Sequence, residues 1–242
     1  MVDKTPDTVG NFPEPDAIQP GVRPVTRSKR QARDAYDRLS RRYDLLAGWA
    51  ERPAGRAGLR RLAVHEGETV LEIGFGTGQA LVELARAVGT RGQVHGLDLS
   101  DGMLEVAKNR LWQAGLAGLV ELRLGDAASL PYRVGVFDAI FMSFTLELFD
   151  TPEIPVVLGE CRRVLRDGGR LVVVALSKPA EGASLAGLVV PLYEWFHDRF
   201  PEAIDCRPIY VEPAVRQAGF GIVGTRIMSL WGLPVEIVEA RR

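Results

Sequence analysis

The stretch Thr69-Val70-Leu71-Glu72-Ile73-Gly74-Phe75-Gly76-Thr77-Gly78 joins a short apolar run to three alternating glycines. Val70, Leu71 and Ile73 are the residue types that fill a strand covered on both faces. Glycines at every second position let the chain turn and let its backbone pass close to a ligand, because no Cβ stands in the way. A helical pattern from about Gly78 to Val88 follows. The unit is strand, tight turn, helix. Such a helix presents unpaired N–H groups to a carboxylate or phosphate at the turn. Glu72 lies at the strand's end, where a carboxylate can face a ligand ammonium.

The same rhythm continues downstream. Val94-His95-Gly96-Leu97-Asp98 reads as a second strand and 101–114 as a helix. Val120–Leu124 and Phe137–Met142 read as the third and fourth strands, 152–165 as a helix, and Gly169–Ala175 as the fifth strand. Alternation at this spacing predicts parallel strands joined by right-handed crossovers. A short helix over 211–218 and two strand-like runs, Gly221–Ser229 and Pro234–Ala240, then suggest an antiparallel pair linked at Trp231-Gly232. The expected class is α/β, with five parallel strands, a C-terminal antiparallel hairpin and helices on both faces.

Upstream, residues 1–25 are polar and carry Pro6, Pro13, Pro15, Pro20 and Pro24, which reads as a disordered tail. A helical pattern begins near Ser28 and runs through Arg42 into Tyr43-Asp44-Leu45-Leu46. Pro53 and the nearby glycines interrupt it, and a second helix covers 54–63. No second-domain linker is visible, so 26–242 is expected to form one domain with N-terminal helices over 26–63 and a lid-like insertion over 179–210. Within that insertion 183–200 is helical in pattern and unusually apolar, with a bend expected at Pro191. Together with 28–46 it is expected to cover the cleft. Tyr36 and Tyr43 lie seven apart and share a helix face.

Asp98 closes the second strand, where an acidic side chain can accept both hydroxyls of a ribose. A nicotinamide enzyme would normally show G-x-G-x-x-G. Here the pattern is G-x-G-x-G, with Glu72 two places before its first glycine. That carboxylate sits poorly beside a pyrophosphate and suits an amino-acid ammonium. S-adenosyl-L-methionine (SAM) carries an amino acid, a ribose and an adenine, with no phosphate, and is the preferred ligand.

Val70–Ala80, Val94–Leu111, Leu124-Gly125-Asp126-Ala127 and Leu165-Arg166-Asp167-Gly168-Gly169-Arg170-Leu171 resemble, in order, the motifs of class I SAM-dependent methyltransferases with their Rossmann-like fold. The resemblance implies that Glu72, Gly74, Gly76 and Gly78 line the methionine end of SAM and that Asp98 binds the ribose. It implies that Leu99 and Met103 flank the adenine, that Asp126 with Ala127 reaches its amino edge, and that Ser143 faces the transferred methyl. Tyr36 and Tyr43-Asp44-Leu45-Leu46 are similar to the Tyr-Asp segment of the ubiquinone/menaquinone-biosynthesis C-methyltransferases, whose N-terminal helices fold over the SAM cleft. This places Tyr43 at the cofactor and implies a small, apolar acceptor such as a prenylated quinol. Ser143–Phe149 departs from that family's usual residues, and 179–210 matches none of its segments. A phospholipid head group, a soluble metabolite and a non-catalytic scaffold of the SAM fold stay open. Methyl transfer to carbon or oxygen can require a general base, for which Tyr36, Glu147, Tyr193 and His197 are candidates.

Charge is uneven. The 242 residues sum to a net −1, yet 21–61 carries twelve Lys/Arg against four Asp/Glu. Such a segment can lie as a solvated helix face or make peripheral contact with an anionic membrane. Nucleic acid is not expected, because neither an Asn-Pro-Pro-Tyr-like signature nor an RNA-binding module is present. Cys161 and Cys206 have no metal-ligand spacing, so no metal is expected. A reducing, cytoplasmic setting follows from the two isolated cysteines and the lack of a signal-like start.

Overall fold

The computed structural model describes residues 19–22, 24, 25, 27–40, 43, 49–178, 206–230 and 232–242. The strand before the glycines, β1 (Thr69–Ile73), pairs in parallel with β2 (Gln93–Asp98) on one side and β4 (Phe137–Ser143) on the other. β3 (Val120–Leu124) extends the sheet beyond β2, and β5 (Leu165–Leu176) lies beside β4. β6 (Gly221–Leu230) and β7 (Leu233–Arg241) form the expected antiparallel pair. β7 inserts between β5 and β6, giving the order β3-β2-β1-β4-β5-β7-β6. The strand order reverses between β1's two neighbours, and a crevice opens at the carboxyl ends of strands at such a switch point.

The alternation of side chains along each strand sorts the core into two layers. Leu71, Ile73, Ile140, Met142, Leu171 and Val173 pack on one face with α5 (Ile154–Val164) and α6 (Val211–Gln217). Val70, Phe141, Val172 and Val174 pack on the other with α2 (Trp49–Leu62), α3 (Gln79–Val88) and α4 (Asp101–Gln113). α2 comes closest to the sheet at Gly58, where a Cβ would stand 2.5 Å from Val174 Cγ2.

Pro53 does not break the helix as the sequence suggests, because α2 starts at Trp49 and Pro53 is its fifth residue. The first four N–H groups of a helix are unpaired in any case, so proline here removes only the next bond. α1 (Lys29–Leu39) begins at Ser28, which forms a capping box with Gln31. The chain is held in place before residue 25, earlier than the tail reading allows. Gln19 is buried and exchanges two hydrogen bonds with the Tyr210 backbone, both 2.9 Å. The expected helix over 183–200, with Tyr193 and His197, lies outside the described residues.

Candidate active site

A cavity of about 640 Å³ lies at the carboxyl ends of β1, β2 and β4 and under α1 and α2. Glu72 forms part of its wall, although its side chain is only 3% exposed. Glu72 Oε2 has no hydrogen-bond partner. Burial, reinforced by the nearby Asp98 charge, pushes the carboxyl pKa well above the usual range. A ligand cation would reverse that shift by pairing with the ionised form.

The three glycines do three different things. Gly74 has φ 72°, and a Cβ there would stand 2.2 Å from Thr145 Oγ1, so it lets the turn press on the loop after β4. Gly76 has φ 49° and nothing within 4 Å of where a Cβ would be; it faces the cavity itself. Gly78, expected to line the ligand, does not line the cavity. A Cβ on it would lie 2.9 Å from Ala107 Cβ, so its role is to let α3 approach α4.

Asp98 Oδ2 accepts a hydrogen bond from Gly76 N at 2.8 Å, and Oδ1 accepts one from Ser100 N at 2.9 Å. The carboxylate thus ties the glycine turn to the end of β2. Burial raises its pKa, and these backbone donors oppose the rise. Leu99, Met103, Asp126, Ala127 and Ser143 all line the cavity, as do Tyr36 and Tyr43. Met103 is also a core residue, 2% exposed. Asp126 differs from expectation in that both its oxygens are engaged: Oδ1 accepts from Ala128 N at 2.9 Å, and Oδ2 accepts from Lys29 Nζ at 2.6 Å. Phe144, in the cavity wall after β4, has φ 52°, a strained conformation for a side chain of that size.

A methyltransferase-domain family profile matches residues 70–169. The demethylmenaquinone methyltransferase of Symbiobacterium thermophilum is 27% identical over 252 residues, covering 93% of this chain and 99% of that protein. The ubiquinone/menaquinone biosynthesis C-methyltransferase UbiE of Azotobacter vinelandii is 34% identical over 176 residues, covering 71% of this chain and 68% of that protein. This chain is a class I SAM-dependent methyltransferase. The fold likeness reaches beyond methyl transfer: the crystal structure of the [4+2]-cyclase SpnF superimposes with a TM-score of 0.71 at 21% identity, covering 92% of this chain and 98% of that one.

Of the four catalytic candidates in this methyltransferase, Tyr36 and Glu147 are among the described residues, and Tyr193, like His197, is not. Tyr36 is in the cavity wall, its ring centroid 6.3 Å from that of Tyr43. Tyr43 donates its hydroxyl proton to Glu51 at 3.2 Å, and Glu51 lines the same space from α2. Burial, then the Glu51 charge, raises the Tyr43 pKa well above its ordinary value, so the phenol stays protonated. Glu147 is fully buried but does not line the cavity. Its Oε1 accepts from Leu176 N at 3.1 Å, its Oε2 has no partner, and burial pushes its pKa to about 8. His197 lies outside the described residues.

The sequence reading missed the helix-borne residues of the methyltransferase cavity, among them Lys29, Arg33, Glu51 and Arg52. One signal for them existed. Lys29, Arg33 and Asp37 recur at four-residue spacing on α1 and therefore share a face. Lys29 Nζ lies 2.6 Å from both Asp126 and Glu153, Arg33 pairs with Asp101, and Asp37 accepts from Ser100 Oγ at 2.5 Å and from Gly102 N at 2.8 Å. These contacts clasp α1 over the cavity and to the start of α4. Among the described residues no helix is long and apolar enough to cross a membrane.

Proposed function

We propose that the methyltransferase moves the methyl group of SAM to a small, largely apolar acceptor of the prenylated-quinol kind. The observation that carries this reading is the mixed polar and apolar lining of one cavity. Glu72, with its unpartnered Oε2, Gly76 and Asp98 line it together with Leu59, Phe141, Phe144, Leu148 and Phe149. Glu72 fits the ammonium of SAM and Asp98 its ribose. Gly76 leaves room for the ligand, Leu99 and Met103 flank the adenine, and Asp126 and Ala127 border it. When bound, SAM supplies an electrophilic methyl on a sulfonium.

The chain's own work is then placement, exclusion of water and removal of one proton from the acceptor. Ser143 faces the transfer region from the end of β4. Tyr36 and Tyr43 close the space above it. Glu51, held by Tyr43, is the carboxylate best placed to take the acceptor's proton. The names of the quinone-pathway relatives support the acceptor class. The basic 21–61 segment supports peripheral contact with an anionic bilayer, where such acceptors reside.

The test is an acceptor panel with methyl-labelled SAM: a short-chain demethylated quinol, a phospholipid with a free amino head group, and a soluble metabolite extract. Label in the quinol alone supports the reading. Label in the phospholipid or the extract, with none in the quinol, overturns the acceptor class. SAM binding without turnover on any of them would make the chain a scaffold.

A further inference from the structure

Resting on the reading of Asp98 as the ribose acceptor, a residue outside the cavity can be given work at that contact. A serine hydroxyl has one proton to donate and two lone pairs to offer. Ser100, two places after Asp98 and 1% exposed, has its proton and a lone pair engaged. Its Oγ accepts from Met103 N at 3.1 Å, which caps α4, and donates to Asp37 Oδ1 at 2.5 Å. Its backbone N donates to Asp98 Oδ1 at 2.9 Å. Ser100 therefore stands between one carboxylate on β2 and another on α1. Asp37 does not line the cavity. The same Asp37 oxygen accepts from Gly102 N at 2.8 Å, in the first turn of α4. The fit is close, since a Cβ on Gly102 would stand 2.8 Å from both Asp37 Cα and Ser40 Oγ. No residue of α1 is buried, and Asp37 is its polar seat on α4.

Without Asp37 the Ser100 proton would turn to the Asp98 carboxylate. A serine two places after an aspartate, its N–H already bonded to that carboxylate, has the same group within local reach of its hydroxyl. A hydroxyl donating there would occupy a lone pair that a ribose hydroxyl needs. We propose that Asp37 is a positioning residue for the cofactor's ribose: it holds the Ser100 proton away from Asp98, and does so only while α1 is seated on α4. Tyr36, the residue before Asp37, lines the cavity from the same helix. The ribose contact and the Tyr36 wall are then completed together. Charge alone predicts the reverse effect of losing Asp37. Burial raises the Asp98 pKa and the Asp37 charge adds to the rise, so removing that charge favours the ionised, accepting form.

S-adenosylhomocysteine and its 2′,3′-dideoxy analogue, which differ only in the ribose hydroxyls, are the probes. Calorimetry would measure both against the wild-type chain, Asp37→Ala, Asp37→Asn, Asp98→Ala and the Asp37→Ala/Asp98→Ala double variant. Melting curves would establish that each is folded. Asp37→Ser, too short to reach Ser100, takes the place of Asp37→Ala if that variant does not fold. Asp37→Ala should weaken S-adenosylhomocysteine about ten-fold, the size of one charged hydrogen bond. It should leave the dideoxy analogue within about two-fold. Asp37→Asn, whose carbonyl oxygen can accept both bonds without the charge, should recover most of the loss. In the Asp98→Ala background, Asp37→Ala should weaken neither probe further. Equal weakening of both probes by Asp37→Ala would make the residue structural only and overturn the proposal. Unchanged or tighter binding of S-adenosylhomocysteine by that variant overturns it too. Failure of the underlying reading looks different: the wild-type chain would bind neither probe, or would bind both equally with Asp98→Ala changing neither affinity.

Discussion

The two halves of the cavity are built from different materials. The half carried by the sheet is fixed by backbone. Gly74 N donates to Leu97 O, Gly76 N and Ser100 N donate to Asp98, and Glu72 is buried in the cavity wall. The half carried by α1 and α2 is fixed by side chains that water reaches. Lys29 is 40% exposed where it meets Asp126 and Glu153, and Arg56 is 61% exposed where it meets Glu83. Buried backbone bonds form with the fold and persist with it. Exposed ion pairs contribute roughly 0–1 kcal/mol each and weaken in salt. The sheet half is thus preorganised, and the helix half is closed by contacts weak enough to be released.

The largest expected effect probes the sheet half. Gly76→Val should abolish measurable SAM binding, at least a hundred-fold in affinity. A branched Cβ there would project into the ligand's space, and φ 49° is costly for valine. Circular dichroism should show a folded protein with a lowered melting temperature. A folded variant with wild-type SAM affinity would remove the glycine turn from the site and erase the distinction between the halves.

An intermediate effect separates a buried carboxylate that serves a ligand from one that does not. Glu72 lines the cavity; Glu147 does not. The folded-state pKa of Glu147 is about 8, above its ordinary 4.5. Between these two values the unfolded chain releases the proton and the folded chain keeps it. The group's contribution to stability is therefore complete below about pH 4.5 and lost as the pH rises towards 8. Glu147→Gln keeps an acceptor for Leu176 N and cannot ionise. It should be more stable than wild type at pH 8, by about a few kcal/mol at most, and so melt higher, and it should flatten the pH dependence. Glu72→Gln should instead lose SAM affinity. A lower melting temperature for Glu147→Gln at pH 8 would mean that its carboxylate has a charged partner and a role beyond burial.

The smallest effect concerns the clasp. Lys29→Met should raise the SAM dissociation rate a few-fold in stopped-flow displacement, with little change in melting temperature. High salt should bring the wild-type rate up to that of the variant. If salt and substitution both leave dissociation unchanged, α1 is as fixed as the sheet, and the two halves are one rigid site.

What the sequence disclosed follows the same division. β1 to β5 and the final pair were legible because apolar runs and glycines report strand burial directly. Glu72, Gly74, Gly76 and Asp98 came with them, since a position at a strand's end is a position in the cleft. The closeness of Gly78 to Ala107 on α4 was not legible, because no local pattern says that α4 comes that near. Glu51 and Arg52 went unseen because Pro53 looked like a break, which hid the turn of α2 that carries them. Glu147 was chosen for its chemistry alone; only the packing after β4 shows that it is buried and bonded to Leu176 N at the end of β5.

The insertion of β7 between β5 and β6 has a kinetic side. Leu230 faces Leu233 across a tight turn, so β6 and β7 can zip locally. Leu176 must find Val235 across roughly sixty residues of intervening chain, a slower and entropically dearer closure. Until it does, β5 offers an open hydrogen-bonding edge along an apolar strand, the kind of template on which chains aggregate. Pulsed hydrogen exchange during refolding is expected to protect the β6/β7 amides before those of β5. Recovery should fall as protein concentration rises, because an intermolecular strand competes with β7 for the same edge.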